Sequence, residues 1–425
     1  MLEYGQVFLP PPKSTARVRE RLVEAARRAG LPAFEVRGRN LFARGVVGVV
    51  DIGEVIVELL PKTHDYATAD DGRAFLTSLL RFTSAERGLA VAAGSVGIGE
   101  QPILEVVLAW AARSAASNMR GGLPRRYVPR QEVSPTIRGR VDLRSVARAK
   151  PGDAFKLVIR HAPISEDNAI TRILRWLLQQ ISKLTLNAST RSNCLGLLND
   201  LGAVPSISSP LVEFDRILLH PLEYHWEPLL RFARSLAQQE IPDPTRAGRT
   251  PSVAVLFTLH DLFEAALRRV FREKLIRHGL LLRSPSGHLL HPDPENGRKP
   301  ILRLRPDFVF VSSDNAVTGV GDAKWKRILN ASGEVRISED DAYQLTAYIT
   351  ALKGRTGFLF CPLMGKSGEA PIRTFRWRLR GGGQPIQLIA VHVPTLISSS
   401  ADGVKLRSSI SQIITDAIIP VAGAA

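Results

Sequence analysis

Two aspartates and a lysine in the last third of the chain have a spacing suited to metal-dependent phosphodiester chemistry. Asp307 follows Pro306 at the start of one apolar run, and Asp322 and Lys324 lie two residues apart in the next. Side chains at i and i+2 of a β-strand point to the same face, so Asp322 and Lys324 would share a surface. The turn-forming residues between the runs predict a hairpin, which would bring both aspartates to one cation.

The cation that this arrangement favours is Mg²⁺, with Mn²⁺ as the alternative, because Mg²⁺ binds one or two carboxylates, waters and a substrate phosphate oxygen. Lys324 would orient the water that attacks phosphorus or help to deprotonate it. Glu264, on a predicted helix before the hairpin, is expected to supply a third carboxylate. Gln344 and Tyr348 are four residues apart on a later predicted helix, so they share one face. These residues form the predicted catalytic set, with three metal ligands: Asp307, Asp322 and Glu264.

Each of these patterns alone is more often a turn, an exposed ion pair or an ordinary helix surface. Together they are more informative, because in their order along the chain they fall on predicted helices and strands that could bring them to one site. The predicted elements are a helix over 256–278, strands within 301–311 and 318–325, a helix over 338–352 and a strand over 356–361, followed by strands over 374–379 and 386–392 and a helix from 407. This alternation is typical of an α/β sheet covered by helices.

The first half of the chain has a different pattern. A helix is predicted over 14–30 with Ser14 as its N-cap, followed by two or three short strands within 33–61. Helices over 71–82, 101–117 and 167–186 enclose a proline-containing, extended segment over 127–141. Residues 241–251 hold three prolines and a glycine, which predicts a linker. The predicted fold is therefore α/β (α+β overall), with a β-rich N-terminal unit, a helical middle and a C-terminal mixed sheet flanked by helices.

The positive charge of the chain is concentrated in two stretches. The 425 residues include 57 Lys and Arg against 40 Asp and Glu, a net charge of +17, and 44% are hydrophobic, which argues against disorder. Residues 113–160 hold twelve basic residues against three acidic ones, and residues 265–305 hold ten against three. A solvated helical face is one explanation of each stretch and a DNA-phosphate surface is another, with an acidic protein or a membrane surface as further partners for such charge. The basic residues predicted to bind DNA are Arg268, Arg269, Arg272, Arg303, Arg305, Lys326, Arg125, Arg126, Arg138 and Arg140.

The remaining composition bounds the class of protein. Cys194 and Cys361 are far apart and lie in apolar surroundings, which excludes a disulfide framework and a zinc ribbon. The first residues lack the pattern of a secretory leader, and the longest apolar run is interrupted by Asp51 and Glu54. We therefore expect a cytoplasmic protein with no membrane span.

The ordered set of acids, lysine, glutamine and tyrosine resembles the PD-(D/E)xK nuclease superfamily. The surrounding segments resemble McrC, the nuclease subunit of the McrBC modification-dependent restriction system. The motifs that carry this resemblance are LFE at 262–264, RPDF at 305–308, GDAK at 321–324 and DAYQ at 341–344 with AY at 347–348. Weaker matches lie earlier, in ELLPK at 58–62, GLPRRY at 122–127, IRGR at 137–140 and EDN at 166–168. Trp325 stands where the family more often has tyrosine.

The resemblance implies a restriction-endonuclease-like nuclease domain over 252–425, a β-rich partner-binding domain over 1–115 and a basic, helical connecting region over 116–240. It also implies a partner, the hexameric AAA+ GTPase McrB, which binds methylcytosine DNA and whose GTP hydrolysis McrC stimulates. The N-terminal β unit would contact the central pore of that motor. Nucleotide binding by this chain itself is not expected, because Gly365-Lys366-Ser367 follows no P-loop glycine and Phe360 stands where that glycine would be.

Three functions stay open on the sequence. The first is a Mg²⁺-dependent endonuclease subunit that cuts modified double-stranded DNA together with a GTPase. The second is a nuclease of the same superfamily in another repair or defence complex without a GTPase. The third is a DNA-binding regulator or scaffold that does not cleave. A neighbouring gene with a P-loop and AAA+ features would favour the first over the second.

Overall fold

The computed structural model divides the chain into two compact units, Met1–Ile103 with Ser252–Ala425, and Leu104–Pro251. It describes residues 6–7, 9, 15–61, 68–84, 102–128, 130–147, 157–239, 253–283, 288–290, 301–330, 334–363, 370–380 and 383–419. The predicted linker and the Gly365-Lys366-Ser367 segment lie outside these residues. Among the described helices, none is long and apolar enough to cross a membrane.

Short antiparallel sheets and two helices make up the N-terminal part of the first unit. Strand β3 (Asn40–Ala43) pairs with both β1 (Gln6–Val7) and β2 (Phe34–Arg37), and β4 (Val46–Asp51) pairs with β5 (Ile56–Leu59). Strand β4 is almost wholly buried, as its run of valines predicts. The expected β-rich segment is present, and its elements are β1 Gln6–Val7, α1 Ala16–Arg28, β2 Phe34–Arg37, β3 Asn40–Ala43, β4 Val46–Asp51, β5 Ile56–Leu59 and α2 Ala69–Ser84.

The second unit is mainly helical, with small strands between its first two long helices. Strand β9 pairs antiparallel with β7 and β8, and β6 pairs with β10. These strands include the segment predicted to be extended, and α5 lies within the predicted 167–186 helix. The elements are α3 Ile103–Arg120, β6 Arg126–Tyr127, β7 Arg130–Ser134, β8 Arg140–Val141, α4 Leu143–Ala147, β9 Leu157–His161, β10 Ile164–Ser165, α5 Ala169–Leu184, α6 Ala188–Asp200, α7 Pro210–Phe214 and α8 Glu227–Gln239.

The C-terminal residues of the first unit form a six-stranded mixed sheet. The elements of this part of the chain are β11 Val253–Thr258, α9 Leu259–Lys274, β12 Leu280–Arg283, β13 His288–Leu290, β14 Ile301–Arg303, β15 Phe308–Ser312, β16 Val317–Ala323, α10 Glu339–Leu352, β17 Thr356–Pro362, β18 Ile372–Arg378, β19 Pro385–Val391, α11 Val393–Ile397 and α12 Ala401–Ile418, of which β13 and β14 pair with each other in a separate two-stranded sheet. The strand order is β12-β15-β16-β17-β19-β18. Strands β15 and β16 form an antiparallel hairpin, while β16, β17 and β19 are parallel and α10 connects the first two of these. The predicted α/β class with a C-terminal mixed sheet and flanking helices is confirmed.

Strand β11 joins the two ends of the chain within the first unit. It pairs antiparallel with β4 over six residue pairs, from Val253 opposite Asp51 to Thr258 opposite Val46. The sequence had assigned these segments to separate domains on either side of the linker. The apolar run of β11 matches the buried valines of β4, and Ala254 and Val255 of β11 are buried in the pairing.

Helix α12 begins at Ala401, six residues before the predicted start at 407, and the starts of two other helices differ from the prediction because of their caps. Helix α9 begins at Leu259 rather than at residue 256, because the preceding residues pair with β4 and the side chain of Thr258 caps the helix by accepting the Asp261 N–H. Helix α1 has Thr15 rather than Ser14 as its cap, since the Thr15 hydroxyl accepts the Val18 N–H at 3.2 Å. In both cases a threonine with extended backbone satisfies an amide of the first turn.

Aromatic packing behind the sheet fixes which way the site residues point. Phe271 of α9 packs against Phe308, Phe310 and Phe360, with ring centroids 5.0–5.5 Å apart. Gly321 of β16 makes room for these rings, because a Cβ there would lie only 3.0 Å from the Phe360 ring. Side chains alternate along a strand, so the residue after Gly321 points to the opposite face, where α10 packs.

Candidate active site

Both predicted aspartates lie at the end of the β15–β16 hairpin. Phe308 pairs with Gly321 in antiparallel register, so the next pair along is Asp307 opposite Asp322. The Asp307 Oδ2 atom accepts a hydrogen bond from the Ala323 N–H at 2.7 Å. Asp322 is only 4% exposed. The structure therefore brings two carboxylates together at one end of the sheet, as the spacing predicts.

Lys324 links these carboxylates to helix α10. Its Nζ lies 2.7 Å from Asp322 Oδ2 and donates to Gln344 Oε1 at 2.9 Å. The Gln344 Nε2 in turn donates to the Tyr348 hydroxyl at 2.8 Å. The backbone N–H of Lys324 donates to the Phe360 carbonyl at 2.8 Å, which holds the lysine against β17. Five of the six residues in the predicted catalytic set thus lie in one cluster.

The two carboxylates carry more negative charge than their surroundings stabilise. Burial, followed by the charges of Asp322 and Glu264, raises the pKa of Asp307 to about 8. Burial also raises the pKa of Asp322, although Lys324 opposes that shift. A divalent cation would offset this excess negative charge, so the oxygen donors of the cluster fit a hard cation.

The neighbouring lysine and tyrosine keep their protons at neutral pH. Burial acts to lower the pKa of Lys324, but the hydrogen bond to Asp322 and the charges of Asp322, Asp341 and Asp307 raise it. Burial raises the pKa of the Tyr348 phenol. Lys324 is therefore an ammonium that can donate hydrogen bonds, and Tyr348 is neutral.

Glu264 lies beside this cluster and is linked to it through an arginine. Its Oε1 accepts from Arg268 Nη2 at 2.5 Å, and the same nitrogen donates to the carbonyl oxygen of Asp307 at 2.5 Å. The charge of Glu264 contributes to the raised pKa of Asp307. The structure thus places Glu264 near the two aspartates, with its carboxylate in an ion pair on its own helix.

Glu264 also belongs to a group of potential metal ligands that the sequence analysis missed. Ligand atoms of His260, Asp261 and Glu264 all lie within 4.8 Å of one another on the first turns of α9. The signal was present in the sequence, because a histidine and a glutamate four residues apart share one helix face. His260 also acts electrostatically on Asp322, which places this group beside the hairpin end.

Asp341 is not among the residues predicted from sequence to act in the site, but it lies next to the lysines. Asp341 is 8% exposed, and both its carboxylate oxygens accept from Lys326 Nζ, at 2.9 and 3.0 Å. Its Oδ1 lies 3.9 Å from Lys324 Nζ. The signal for this residue was its spacing, because it lies three residues before Gln344 and seven before Tyr348, on the same side of α10.

The ten basic residues predicted to bind DNA fall into two kinds. Five lie next to a carboxylate, in the pairs Arg268–Glu264, Arg269–Glu273, Lys326–Asp341, Arg125–Glu166 and Arg126–Glu223. Arg272, Arg305, Arg138 and Arg140 have exposed side chains, and Arg303 lies on β14. Arg138 and Arg140 flank Gly139, where glycine is required because φ is positive and an added Cβ would lie only 2.5 Å from the Arg160 carbonyl oxygen. Their DNA contacts stay a prediction.

The C-terminal part of the first unit is thus an α/β domain with a mixed sheet. The sheet ends in buried carboxylates beside a lysine, and polar groups of one helix complete the cluster. The profile of the family described as "McrBC 5-methylcytosine restriction system component" matches residues 41–362, more than half of the chain. The chain belongs to this family.

Solved structures are similar to this chain at low sequence identity. One is described as a refined half-complex from a tetradecameric assembly of Thermococcus gammatolerans McrB AAA+ hexamers with bound McrC. A chain in it is similar with a TM-score of 0.59 at 16% identity, over 97% of this chain and 99% of that one. A cryo-EM structure of the Thermococcus gammatolerans McrBC complex gives a TM-score of 0.46 at 16% identity, over 64% and 86%. The first similarity shows a shared fold. A comparison with curated proteins finds no match.

Proposed function

We propose that this chain is the metal-dependent endonuclease subunit of a McrBC-like restriction complex, which cuts methylcytosine-containing DNA and stimulates a partner AAA+ GTPase. The observation that supports this most strongly is the buried pair Asp307 and Asp322 with Lys324 beside it. Buried titratable groups with strongly perturbed pKa values cluster at catalytic centres, because acid–base and metal chemistry needs such shifts. Family membership and the AAA+ partner in the similar solved complex support the restriction role.

The residues present fit Mg²⁺, or Mn²⁺ in its place. Asp307 and Asp322 would hold the cation, and Glu264 would complete the set from α9 if it leaves Arg268. When bound, such a cation supplies Lewis-acid stabilisation of the charge that develops on the phosphoryl oxygens.

The side chains themselves divide the remaining tasks. Lys324, as an ammonium, is suited to orient the attacking water or a phosphate oxygen rather than to remove a proton. Gln344 fixes the direction of that ammonium, because it accepts from Lys324 while its own amide donates to Tyr348. Asp322 holds the lysine from the other side. The lysine is therefore pre-oriented, which reduces the reorganisation that the reaction requires.

The partners follow from the same proposal. Double-stranded DNA would approach the hairpin end, with the exposed Arg305 and Arg272 near it in the chain and sequence-independent phosphate contacts as the main source of affinity. An McrB-like hexamer would recognise the modified base and hydrolyse GTP. Such a complex acts on DNA in the cytoplasm, where we place this chain.

The test is cleavage of a methylated duplex by the chain with its motor partner, GTP and Mg²⁺. We expect cutting by wild type, loss of cutting by Asp322→Ala, and no cutting by wild type when Mg²⁺ is chelated. Asp402→Ala, on the exposed start of α12, is the matched control and should cut normally. An uncut duplex with wild type, or normal cutting by Asp322→Ala, would contradict the proposal. Cutting that needs no GTPase would favour a nuclease of another complex.

A further inference from the structure

Three consecutive residues after β16 are each held by a different element. The Lys324 N–H donates to the Phe360 carbonyl of β17. The Trp325 ring packs edge-on against Phe263 of α9, with centroids 5.6 Å apart. Lys326 reaches α10 through its ion pair with Asp341, and its N–H closes a tight turn onto the Lys324 carbonyl at 2.9 Å. The segment that carries the proposed catalytic lysine is thus fixed at three points.

The contact with α10 is made at its first turn. The Asp341 N–H donates to the Ser338 hydroxyl at 3.3 Å, so Asp341 is part of the helix cap. Burial acts to raise the pKa of Asp341, but Ser338 and Lys326 lower it below its usual value, so it is ionised at neutral pH. A carboxylate at a helix N-terminus is also stabilised by the helix dipole.

Apolar packing holds the body of α10, and a directional polar contact is made at its first turn. Leu345 and Ile349 pack in a cluster with Leu359 of β17 and with Ile328. Apolar contacts are non-directional, whereas a carboxylate that accepts twice from one ammonium fixes distance and direction. Among the described contacts, Asp341 ties the start of α10 to the turn after Lys324 mainly through its close pair with Lys326, and Lys324 Nζ itself lies 3.9 Å from Asp341 Oδ1.

We propose that Asp341 is a positioning residue: acting through Lys326, it sets the distance between Lys324 Nζ and Gln344 Oε1 and so aims the catalytic ammonium. This inference rests on the proposed nuclease function, and it assigns Lys326 a role within the site in addition to the DNA contact predicted from sequence. Asp341 need not touch DNA or metal for this role.

The first experiment compares Asp341→Asn with Asp340→Asn. Both changes remove one charge from the first turn of α10, but Asp340 is exposed whereas Asp341 is buried against the lysines. In the full complex with the motor partner, we expect Asp341→Asn to lower kcat by about 10- to 100-fold with KM for DNA unchanged, because small displacements of a reacting group have effects of this size. Asp340→Asn should cut like wild type. A change in KM alone, or equal rates for the two variants, would overturn the proposal.

Variants that keep or break the pair from the other side sharpen the test. Lys326→Met should reduce kcat like Asp341→Asn. The single variants Lys326→Arg and Asp341→Glu keep the opposite charges of the pair, so each should retain most of the wild-type kcat. If Lys326 acts only on DNA phosphate, Lys326→Met would instead raise KM and leave kcat intact, and the proposal would be wrong. Lys326 is 54% exposed, so its replacement is not expected to prevent folding.

A readout without cleavage separates this inference from the proposed function. Reductive methylation followed by mass spectrometry measures how accessible each lysine amine is in the full chain. Lys324 is 17% exposed in the intact cluster, and we expect its labelling rate to rise several-fold in Asp341→Asn but not in Asp340→Asn. Unchanged Lys324 labelling would refute the positioning role. If wild type does not cut DNA but the labelling changes as expected, the nuclease proposal fails while the positioning role of Asp341 stands.

Discussion

The hairpin end and the second unit use the same residue types in opposite ways. At the hairpin end, three aspartates surround two lysines, and the pKa of Asp307 rises to about 8 because the negative charges are buried together. In the second unit, Arg172 of α5 lies between Asp167 and Glu213, which raises its own pKa because the charges are matched. Matched ion pairs stabilise a fold. An excess of buried carboxylates instead leaves uncompensated negative charge, which a bound cation or substrate can neutralise.

The largest effect is expected from removing the lysine at the hairpin end. Lys324→Ala should reduce cleavage by about 10³-fold, corresponding to about 4 kcal/mol of transition-state stabilisation, as for loss of one pre-oriented donor. Circular dichroism should show an unchanged fold. Lys405→Ala, on the exposed face of α12, is the matched control and should cut normally. Residual activity above a tenth of wild type would show that the hairpin end is not the catalytic centre.

The next effect is a pH dependence of metal binding. An acid whose pKa is raised in the folded chain gives stability that is complete below its ordinary value of 3.8 and is lost as the pH rises through about 8. A cation must displace that proton from Asp307, so the affinity for Mn²⁺ should rise about tenfold per pH unit between pH 6 and 7.5. Calorimetric titrations in buffers of different ionisation enthalpy would count the released proton. An affinity for Mn²⁺ that does not change with pH would show that no proton is displaced from Asp307, and the proposed contrast between the hairpin end and the second unit would be lost.

A smaller effect, on stability rather than on chemistry, is expected in the second unit. Arg172→Ala leaves Asp167 and Glu213 without their shared partner, and we expect the free energy of unfolding to fall by about 2 kcal/mol. Denaturant titration would measure this loss. Cleavage per folded molecule should stay at the wild-type value, and a large loss of kcat would show that this unit takes part in the chemistry.

The smallest effect concerns the two exposed arginines beside Gly139. Replacing Arg138 and Arg140 with Gln should lower the slope of log Kd against log salt by about 0.9 for each DNA phosphate that an arginine no longer neutralises. Replacing Arg125 and Arg126, which already pair with Glu166 and Glu223, should change the slope less. An unchanged slope for the first pair, with weaker binding to the motor, would assign that turn to the protein partner instead.

Local spacing was enough to predict the centre of the site, but not its supports. The i, i+2 relation of Asp322 and Lys324 and the i, i+4 relation of Gln344 and Tyr348 follow from strand and helix geometry. The pairing of Lys326 with Asp341 depends on how α10 docks. The ion pair of Glu264 with Arg268 was visible in the sequence as an i, i+4 pattern, but the arginine's second contact, with the Asp307 carbonyl, was not.

The largest difference between sequence and structure arose from long-range pairing. Residues 253–258 have an apolar pattern that fits the start of a helix, and nothing near them in the chain shows otherwise. Their partner β4 lies some two hundred residues earlier, so no local pattern indicates it. The fold class could be predicted because it depends on the alternation of elements, whereas this pairing depends on which buried surfaces meet.

That pairing has a mechanical consequence. Strand β11 passes into α9 at Thr258 without a loop. A force along β4 would therefore load six residue pairs in shear at once and be transmitted directly to the helix that carries Glu264. Bonds loaded in shear must break together, which makes such a joint far stiffer than one that unzips pair by pair. The pairing therefore couples β4 directly to the helix that carries Glu264, and a fragment that begins at residue 252 would lose the strand that pairs with its first residues.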